Sequence, residues 1–540
     1  MNNNYHGLTG VKLLHNAAHN KSTAFTEMER DQYGLRGLLP PAVGSMNTQI
    51  QRVLANMRRK ESDIEKYIFL SMLQDRNERL FFRLIMDNFQ ELLPIVYTPT
   101  VGQACREFAN IFRTEKGFYV TAKDRGRIRK ILDNWPNRDV RIIVITDGGR
   151  ILGLGDLGAN GMGIPLGKLG LYCACAGISP NQTLPVMFDV GTNNEDLIED
   201  PIYLGLRQPR LQGDEYFSLM DEFIDAAQDA FPGVLIQFED FTAENAFTHL
   251  NAYREKVLCF NDDIQGTASV VLAGIYASTR FSGIPFRDLK FLFLGAGSAA
   301  TGMGNLIVEA LIESGLEEQE AVQRLWFFNR VGLIRKGITR LPDYIQRYAH
   351  DVEGCQLLDA IDIHRPDILI GATGTPATFT QELIHKMASI KSKPGIFALS
   401  NPTSRAECTA EEAYEWTGGR AIFASGSPFD DVMYDGRLIR PGQGNNAYIF
   451  PGVGLGAIVC KAKYIPDEMF LVAAKVLADS LTDEDIEHGS VYPRVEKIRR
   501  VSLNIATAVA TYAWDNDIAQ MPRPNEINSH IEEFMYDPTY

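Results

Sequence analysis

The sequence predicts an α/β protein whose two ends are helical, and three patterns predict it. Between Gln49 and Phe89 apolar residues recur at spacings of three and four (Ile50, Val53, Leu54, Met57, then Ile64, Tyr67, Ile68, then Phe81, Phe82, Ile85), which is a helical period. Further on, short apolar runs end in acids: residues 141–146 before Asp147, 184–188 before Asp189, 234–238 before Glu239-Asp240, and 257–261 before Asp262-Asp263. Another run, 290–294, ends in the glycine turn Gly295-Ala296-Gly297 instead. Continuous apolar runs of this length read as strands buried on both faces, the kind that helical crossovers join in parallel.

Taken in order, residues 1–114 form a helical N-terminal lobe whose pattern Pro94 and Pro99 break. Residues 115–261 form an α/β domain with a helix at 215–231, where Phe217, Met220, Phe223, Ile224 and Ala227 share one face. Residues 262–445 open with a helix carrying Ala268, Val271, Leu272, Ile275 and Tyr276, then pass through strand 290–294, the glycine turn and a helix to about Ser314. Strands follow at 325–328, 368–370, 395–399 and 420–423, and this succession is Rossmann-like. Residues 446–518 are helical and complete the first α/β domain; residues 519–540, with Pro522 and Pro524, form a polar C-terminal arm.

Composition narrows the chemistry. A chain of 540 residues with 45% hydrophobic and 22% charged content is a soluble globular type, large enough for more than one core. A net charge of −15 without a basic cluster excludes a nucleic-acid partner. No apolar run approaches the roughly 20 residues that span a bilayer, so no membrane partner is expected. The N-terminal residues lack the pattern of a signal or transit segment, and the expected setting is cytoplasmic. The seven scattered cysteines, none in a CxxC pair, fit reduced thiols, and the nine histidines include no HExxH motif. A metal shell, if present, is therefore one of oxygen ligands.

The acid pairs supply such a shell. Carboxylates clustered at the C-terminal ends of strands repel one another unless a cation neutralises them, and α/β folds place ligands at those ends. Glycine-turn spacing occurs twice, at residues 153–158 and at 295–300. The second follows a strand directly and offers a helix N-terminus to a pyrophosphate; the first carries Asp156, which would repel phosphate and marks a tight turn. The next strand ends in Asn329-Arg330 rather than in an acid. Asn329 can bond a ribose hydroxyl and Arg330 can accept a 2′-phosphate, so NAD and NADP both remain open. Lys168 is the one charged residue between Leu157 and Ile178, and apolar surroundings are expected to lower its pKa towards that of a general base. Tyr97, held between two prolines, reads from its residues as a packing aromatic, and Arg150, after Asp147, reads equally as a surface ion-pair residue and as a carboxylate clamp.

Long collinear motifs then resemble the malic enzymes. They are residues 33–41 (Tyr-Gly-Leu-Arg-Gly-Leu-Leu-Pro-Pro), 95–102 (Ile-Val-Tyr-Thr-Pro-Thr-Val-Gly), 150–158 (Arg-Ile-Leu-Gly-Leu-Gly-Asp-Leu-Gly) and 163–169 (Gly-Ile-Pro-Leu-Gly-Lys-Leu). Later come 237–241 (Gln-Phe-Glu-Asp-Phe), 260–267 (Phe-Asn-Asp-Asp-Ile-Gln-Gly-Thr), 400–404 (Ser-Asn-Pro-Thr-Ser) and 441–452 (Pro-Gly-Gln-Gly-Asn-Asn-Ala-Tyr-Ile-Phe-Pro-Gly). Size and the lack of fused domains look most like the NAD-dependent type. The resemblance implies metal ligands Glu239, Asp240 and Asp263 for Mn2+ or Mg2+, general base Lys168, general acid Tyr97, and substrate contacts Arg150, Asn401 and Asn445. It implies a dinucleotide site of Gly295, Ala296, Gly297, Ser298 and Asn329, with Arg150, Asp263 and Asn401 at its reactive end, and Asp262 as a supporting neighbour. Ser298 stands where many relatives have Glu, and Asn329 where many have Asp. The implied reaction converts L-malate to pyruvate and CO2 with reduction of NAD, through oxaloacetate, in a homodimer or homotetramer. An NADP-preferring malic enzyme and a metal-dependent oxaloacetate decarboxylase without redox turnover are the alternatives.

Overall fold

The structure is a computed structural model that describes residue 5 and residues 7–540. The N-terminal residues that bear on the cytoplasmic expectation, Met1 to Asn4 and His6, lie outside the described residues. Among the described residues no helix is long and apolar enough to cross a membrane.

The four acid-terminated runs and one further edge strand form a five-stranded parallel sheet: β1 (Phe118–Thr121), β2 (Ile142–Thr146), β3 (Thr183–Asp189), β4 (Leu235–Phe238) and β5 (Cys259–Asn261), in the order β1-β3-β2-β4-β5. Every residue of β2 to β5 is buried, which explains why they read as unbroken apolar runs. The edge strand β1 is half-buried and carries no such run, so periodicity misses it. Helices Gly213–Ala230 and Ala243–Tyr253 cover one face of this sheet, and helix Gly163–Ala176 lies on the other.

The second sheet holds β6 (Phe291–Leu294), β7 (Leu325–Asn329), β8 (Gly332–Leu333), β9 (Ile368–Gly371), β10 (Gly395–Ala398), β11 (Ile422–Ser425) and β14 (Gly442–Gln443). Their order is β14-β11-β10-β9-β6-β7-β8, with only β8 antiparallel; a separate hairpin joins β12 (Val432–Tyr434) to β13 (Arg437–Ile439). The chain thus leaves β6 in one direction for β7 and returns to its other side for β9. In the first sheet it likewise leaves β2 for β3 and returns for β4. Each reversal leaves a crevice beyond the carboxyl ends of its two central strands, and ligands of open parallel sheets bind there.

The expected helical lobe is present as Met46–Met57, Asp63–Arg76 and Glu78–Asp87, capped by Ser45, Ser62 and Asn77. Pro94 does not end the helical region: it lies inside a further helix, Phe89–Val96. That helix stops two residues later, and Thr100 Oγ1 donates to Pro94 O at 2.6 Å, satisfying a carbonyl that the helix end leaves open. At the C-terminal end, helices Phe450–Val459 and Ile498–Asp515 meet closely because Gly452 and Gly456 face Ile505, Ala506 and Val509. One apolar core runs from the N-terminal helices through these two to one face of the second sheet. The arm closes on its own chain. Helix Ile527–Phe534 packs on Ile498–Asp515, Tyr536 N donates to Gly177 O at 2.6 Å, and the Tyr540 hydroxyl donates to Gln49 Oε1 at 2.8 Å.

Candidate active site

The two crevices open into one cleft of about 240 Å³. One side is lined by Tyr97 from the N-terminal helices and by Arg150, Lys168, Glu239, Asp240 and Asp263 around the first sheet; the other by Gly297, Ser298, Asn401, Asn445 and Asn446. Gly153, in the first glycine loop, brings the halves together: a Cβ there would lie 2.8 Å from Asn401 O. This is the tight-turn role expected of that loop. Asp156 in it is bound to Arg210, which also donates to Asp147 O, so Arg210 ties down both ends of the segment carrying Arg150.

Three carboxylates converge as the sequence suggests. Glu239 and Asp240 follow β4, and Asp263 lies in the π-helical turn Asp262–Gly266 after β5; each offers an oxygen within 4.8 Å of the others. Asp240 has φ +56, a left-handed conformation uncommon for aspartate. Its neighbours hold it there. Asp240 N donates to Asp263 Oδ2 at 2.7 Å, its carbonyl accepts from Arg150 N at 3.2 Å, and its Oδ1 accepts from Leu152 N at 3.0 Å. Asp240 Oδ2 is buried without a partner. Burial and mutual repulsion push the carboxyls of Glu239 and Asp240 well above the ordinary range and raise that of Asp263. A cluster of oxygen donors with one oxygen left open and unfavourable charge accumulation fits a hard divalent cation.

Lys168 is the expected lone buried cation, but its titration runs opposite to the expectation. Burial alone lowers its pKa; Asp262 and then Glu239 outweigh that and hold it well above the ordinary lysine value. The apolar stretch around Lys168 hides this, because both acids come from distant strands. Nζ bonds Asp262 directly, lies 2.9 Å from Glu239 Oε1, and sits 4.4 Å from the Phe450 ring centroid and 5.6 Å from that of Tyr97. Tyr97 ends helix Phe89–Val96, and its ring passes over Gly167, where a Cβ would lie 3.1 Å from Tyr97 Cδ2. Burial raises the phenol pKa well above its usual value, so Tyr97 carries its proton. Asp262 is fully buried behind the cleft, and Gly266 leaves room for its carboxylate.

On the other wall, Gly295 follows β6 with φ +111, and a Cβ on it would lie 2.3 Å from Ala372 O at the end of β9. Gly297 caps helix Ser298–Glu313, which points its N-terminus into the cleft. Asn401 accepts from Ser427 Oγ at 2.7 Å and lines the cleft beside Asn445. Asn329 is set apart, at the far tip of β7, where its Oδ1 accepts from Val331 N and Gly332 N. Gly295, Ala296 and Asn329 support or adjoin the cleft rather than line it.

Several supporting residues of the site receive no role from the sequence. Asn446, next to Asn445, donates to Asp262 Oδ2 and Thr267 Oγ1, both at 2.9 Å. Glu407, fully buried, accepts from Ser400 and Thr373 and ties the loops after β10 and β9 together. Gln237, inside β4, donates to Glu239. Only Gln237 leaves a signal: an amide in the middle of an apolar run needs buried partners.

Comparison with known proteins follows the same division. The family profile described as "Malic enzyme, N-terminal domain" matches residues 74–254, and "Malic enzyme, NAD binding domain" matches residues 264–514. The chain belongs to the malic enzyme family. It is 49% identical over 537 residues to the NADP-dependent malic enzyme of Phaseolus vulgaris, covering 98% of this chain and 91% of that one. It is 47% identical over 534 residues to the NADP-dependent malic enzyme of Dictyostelium discoideum, covering 98% of each. The crystal structure of the Entamoeba histolytica malic enzyme shares the fold, with TM-score 0.59, 21% identity, and coverage of 94% of this chain and 91% of that one. That of the NAD-dependent malic enzyme of Thermotoga maritima aligns with TM-score 0.51 and 25% identity over 78% of this chain and 92% of that one. The second sheet is the pyridine-nucleotide domain of an oxidoreductase, and malate and pyruvate are the substrate and product that membership in the family implies.

Proposed function

We propose that this protein oxidatively decarboxylates L-malate to pyruvate and CO2 with a divalent cation, reducing NADP in preference to NAD. The observation that supports the reaction is the joining of the carboxylate cluster, Lys168 and the glycine-turn helix in one cleft. Glu239, Asp240 and Asp263 would hold Mn2+ or Mg2+, and the turn from Gly295 to Ser298 the dinucleotide pyrophosphate. When bound, the dinucleotide supplies a hydride acceptor and the cation a Lewis acid for the electron pair that CO2 leaves behind.

The remaining roles belong to side chains. Arg150 clamps a malate carboxylate, and Asn401 and Asn445 orient the substrate across the cleft. With Glu239 engaged as a cation ligand the Lys168 ammonium would be held less tightly protonated, and after releasing a proton to solvent its free amine would accept the C2 hydroxyl proton. Tyr97, kept protonated by burial, returns a proton to C3 after CO2 departs. Asp262 and Asn446 keep Lys168 in place. Assembly as a homodimer or homotetramer in the cytoplasm completes the reading.

The choice of NADP rests on the tip of β7. No carboxylate stands there, Asn329 Oδ1 is committed to its own turn, and the exposed Arg330 guanidinium makes no ion pair or hydrogen bond among the described residues. It is free to meet a 2′-phosphate. The names of the plant and slime-mould relatives point the same way, against the NAD preference that chain size suggests. Rates of NADPH and NADH formation from L-malate test this. Arg330→Ser should lower the NADP-to-NAD ratio of kcat/KM by about tenfold or more, the worth of one charge-assisted bond; a native preference for NAD, or an unchanged ratio, refutes it.

A further inference from the structure

Glu239 presents two oxygens, and each is held from a different direction. Lys168 Nζ lies 2.9 Å from Oε1, and Gln237 Nε2 donates to Oε2 at 2.9 Å. Gln237 is fully buried in β4, where an amide is tolerated only with both ends paired. Its other end accepts from the Tyr172 hydroxyl at 2.6 Å. The chain runs inwards from Tyr172: its hydroxyl donates to the amide oxygen, and the amide NH2 donates to the Glu239 carboxylate that pairs with Lys168.

Tyr172 follows Lys168 by one helical turn on Gly163–Ala176, so a single helix face reaches one carboxylate by two routes, directly and through the amide. The Tyr172 ring is fixed in turn. It packs on Phe450 with centroids 5.0 Å apart, the ring that also lies beneath Lys168 Nζ. Gly454 makes room for it, since a Cβ there would lie 2.6 Å from Tyr172 Cε1. With Lys168 alone as partner, Glu239 would rotate towards the ammonium; the amide opposes that pull from the other oxygen.

We propose that Tyr172 and Gln237 are positioning residues of the metal site, a buried donor chain that sets the orientation of the Glu239 carboxylate before a divalent cation arrives. This rests on the reading of Glu239, Asp240 and Asp263 as the cation shell. Partners that orient ligands in this way are worth about 10- to 100-fold in metal affinity.

The test is Mn2+ binding to metal-free enzyme without dinucleotide or malate, followed by the electron paramagnetic resonance of free Mn2+. Gln237→Met keeps side-chain length and should weaken binding by about tenfold or more. Tyr172→Phe removes one oxygen and should weaken it less. The double variant should match Gln237→Met alone, because Tyr172 acts only through the amide. NADPH binding, read by fluorescence, should stay unchanged throughout. Mn2+ affinities within about twofold of wild type, or effects that add in the double variant, overturn the proposal. If Gln237→Met also loses NADPH binding, Tyr172→Phe decides alone, and unchanged Mn2+ affinity in it overturns the proposal. A wild type that binds no Mn2+ overturns it together with the shell. Variants that show the expected pattern, with a wild type that binds Mn2+ but forms no NADPH from malate, overturn the functional reading and leave this one standing.

Discussion

Gly295→Ala should abolish useful dinucleotide binding while leaving the metal side intact. The residue has φ +111, a region that L side chains rarely adopt, and holding alanine there costs about 1–3 kcal/mol. Space adds to that. The new Cβ would sit 2.3 Å from Ala372 O and 2.8 Å from Ala372 C, both backbone atoms, so the turns after β6 and β9 must separate by about an ångström to reach ordinary contact. Those turns form the walls of the crevice at which the second sheet reverses its strand order. A combined penalty of about 3 kcal/mol on the binding geometry is about 100-fold in affinity. NADPH fluorescence titration measures it, with Mn2+ binding as the control, since Glu239, Asp240 and Asp263 lie on the other sheet's loops and should bind within about threefold of wild type. An NADPH affinity within about threefold of wild type would show that this turn does not hold the dinucleotide.

Other outcomes follow from the same geometry. Tyr97→Phe removes the proposed proton donor for C3 and should slow malate decarboxylation by about 10²- to 10⁴-fold, while NADPH-dependent reduction of oxaloacetate survives; equal loss of both reactions would remove Tyr97 from that role. Asp263→Asn keeps an oxygen for the Asp240 N–H but loses the charge of a proposed ligand, and Mn2+ affinity measured without substrate should fall by about tenfold or more. Burial raises Glu78 to about 7 from an ordinary 4.5, so the folded state binds its proton more tightly than the unfolded chain and stability drains as pH rises between those values. Glu78→Gln should therefore exceed wild type at pH 8 by about 1–2 kcal/mol, after discounting for partial exposure, with the gap mostly gone at pH 4.5; urea titrations at both pH values check it.

Much of the site is legible in the sequence because its charged residues sit at strand ends. Runs such as 234–238 announce a buried strand, and the acids that follow must then lie at its C-terminal end, as Glu239 and Asp240 do. The glycine turn is legible for a similar reason: φ +111 and a neighbouring backbone 2.3 Å from a would-be Cβ leave room for nothing larger. What stays hidden depends on approach between segments distant in sequence. Lys168 looks isolated along the chain, yet Asp262 comes to it across 94 residues and reverses the direction of its pKa shift. Asn446 and Glu407 act through hydrogen bonds that leave no periodic trace, and the edge strand β1 lacks the two-sided burial that makes a strand conspicuous. Pro94 misleads because a proline near the end of a short helix removes little bonding.

Whether one cleft couples a metal-dependent decarboxylation to dinucleotide reduction is decided by following NADPH, pyruvate and CO2 together from L-malate, NADP and Mn2+, with and without EDTA. The three products should appear in equal amounts, and none of them once the metal is chelated. NADPH formation that survives EDTA would make the carboxylate cluster irrelevant to turnover. CO2 release from oxaloacetate without any NADPH or NADH from malate would reduce the protein to a decarboxylase, and either result would refute the coupling.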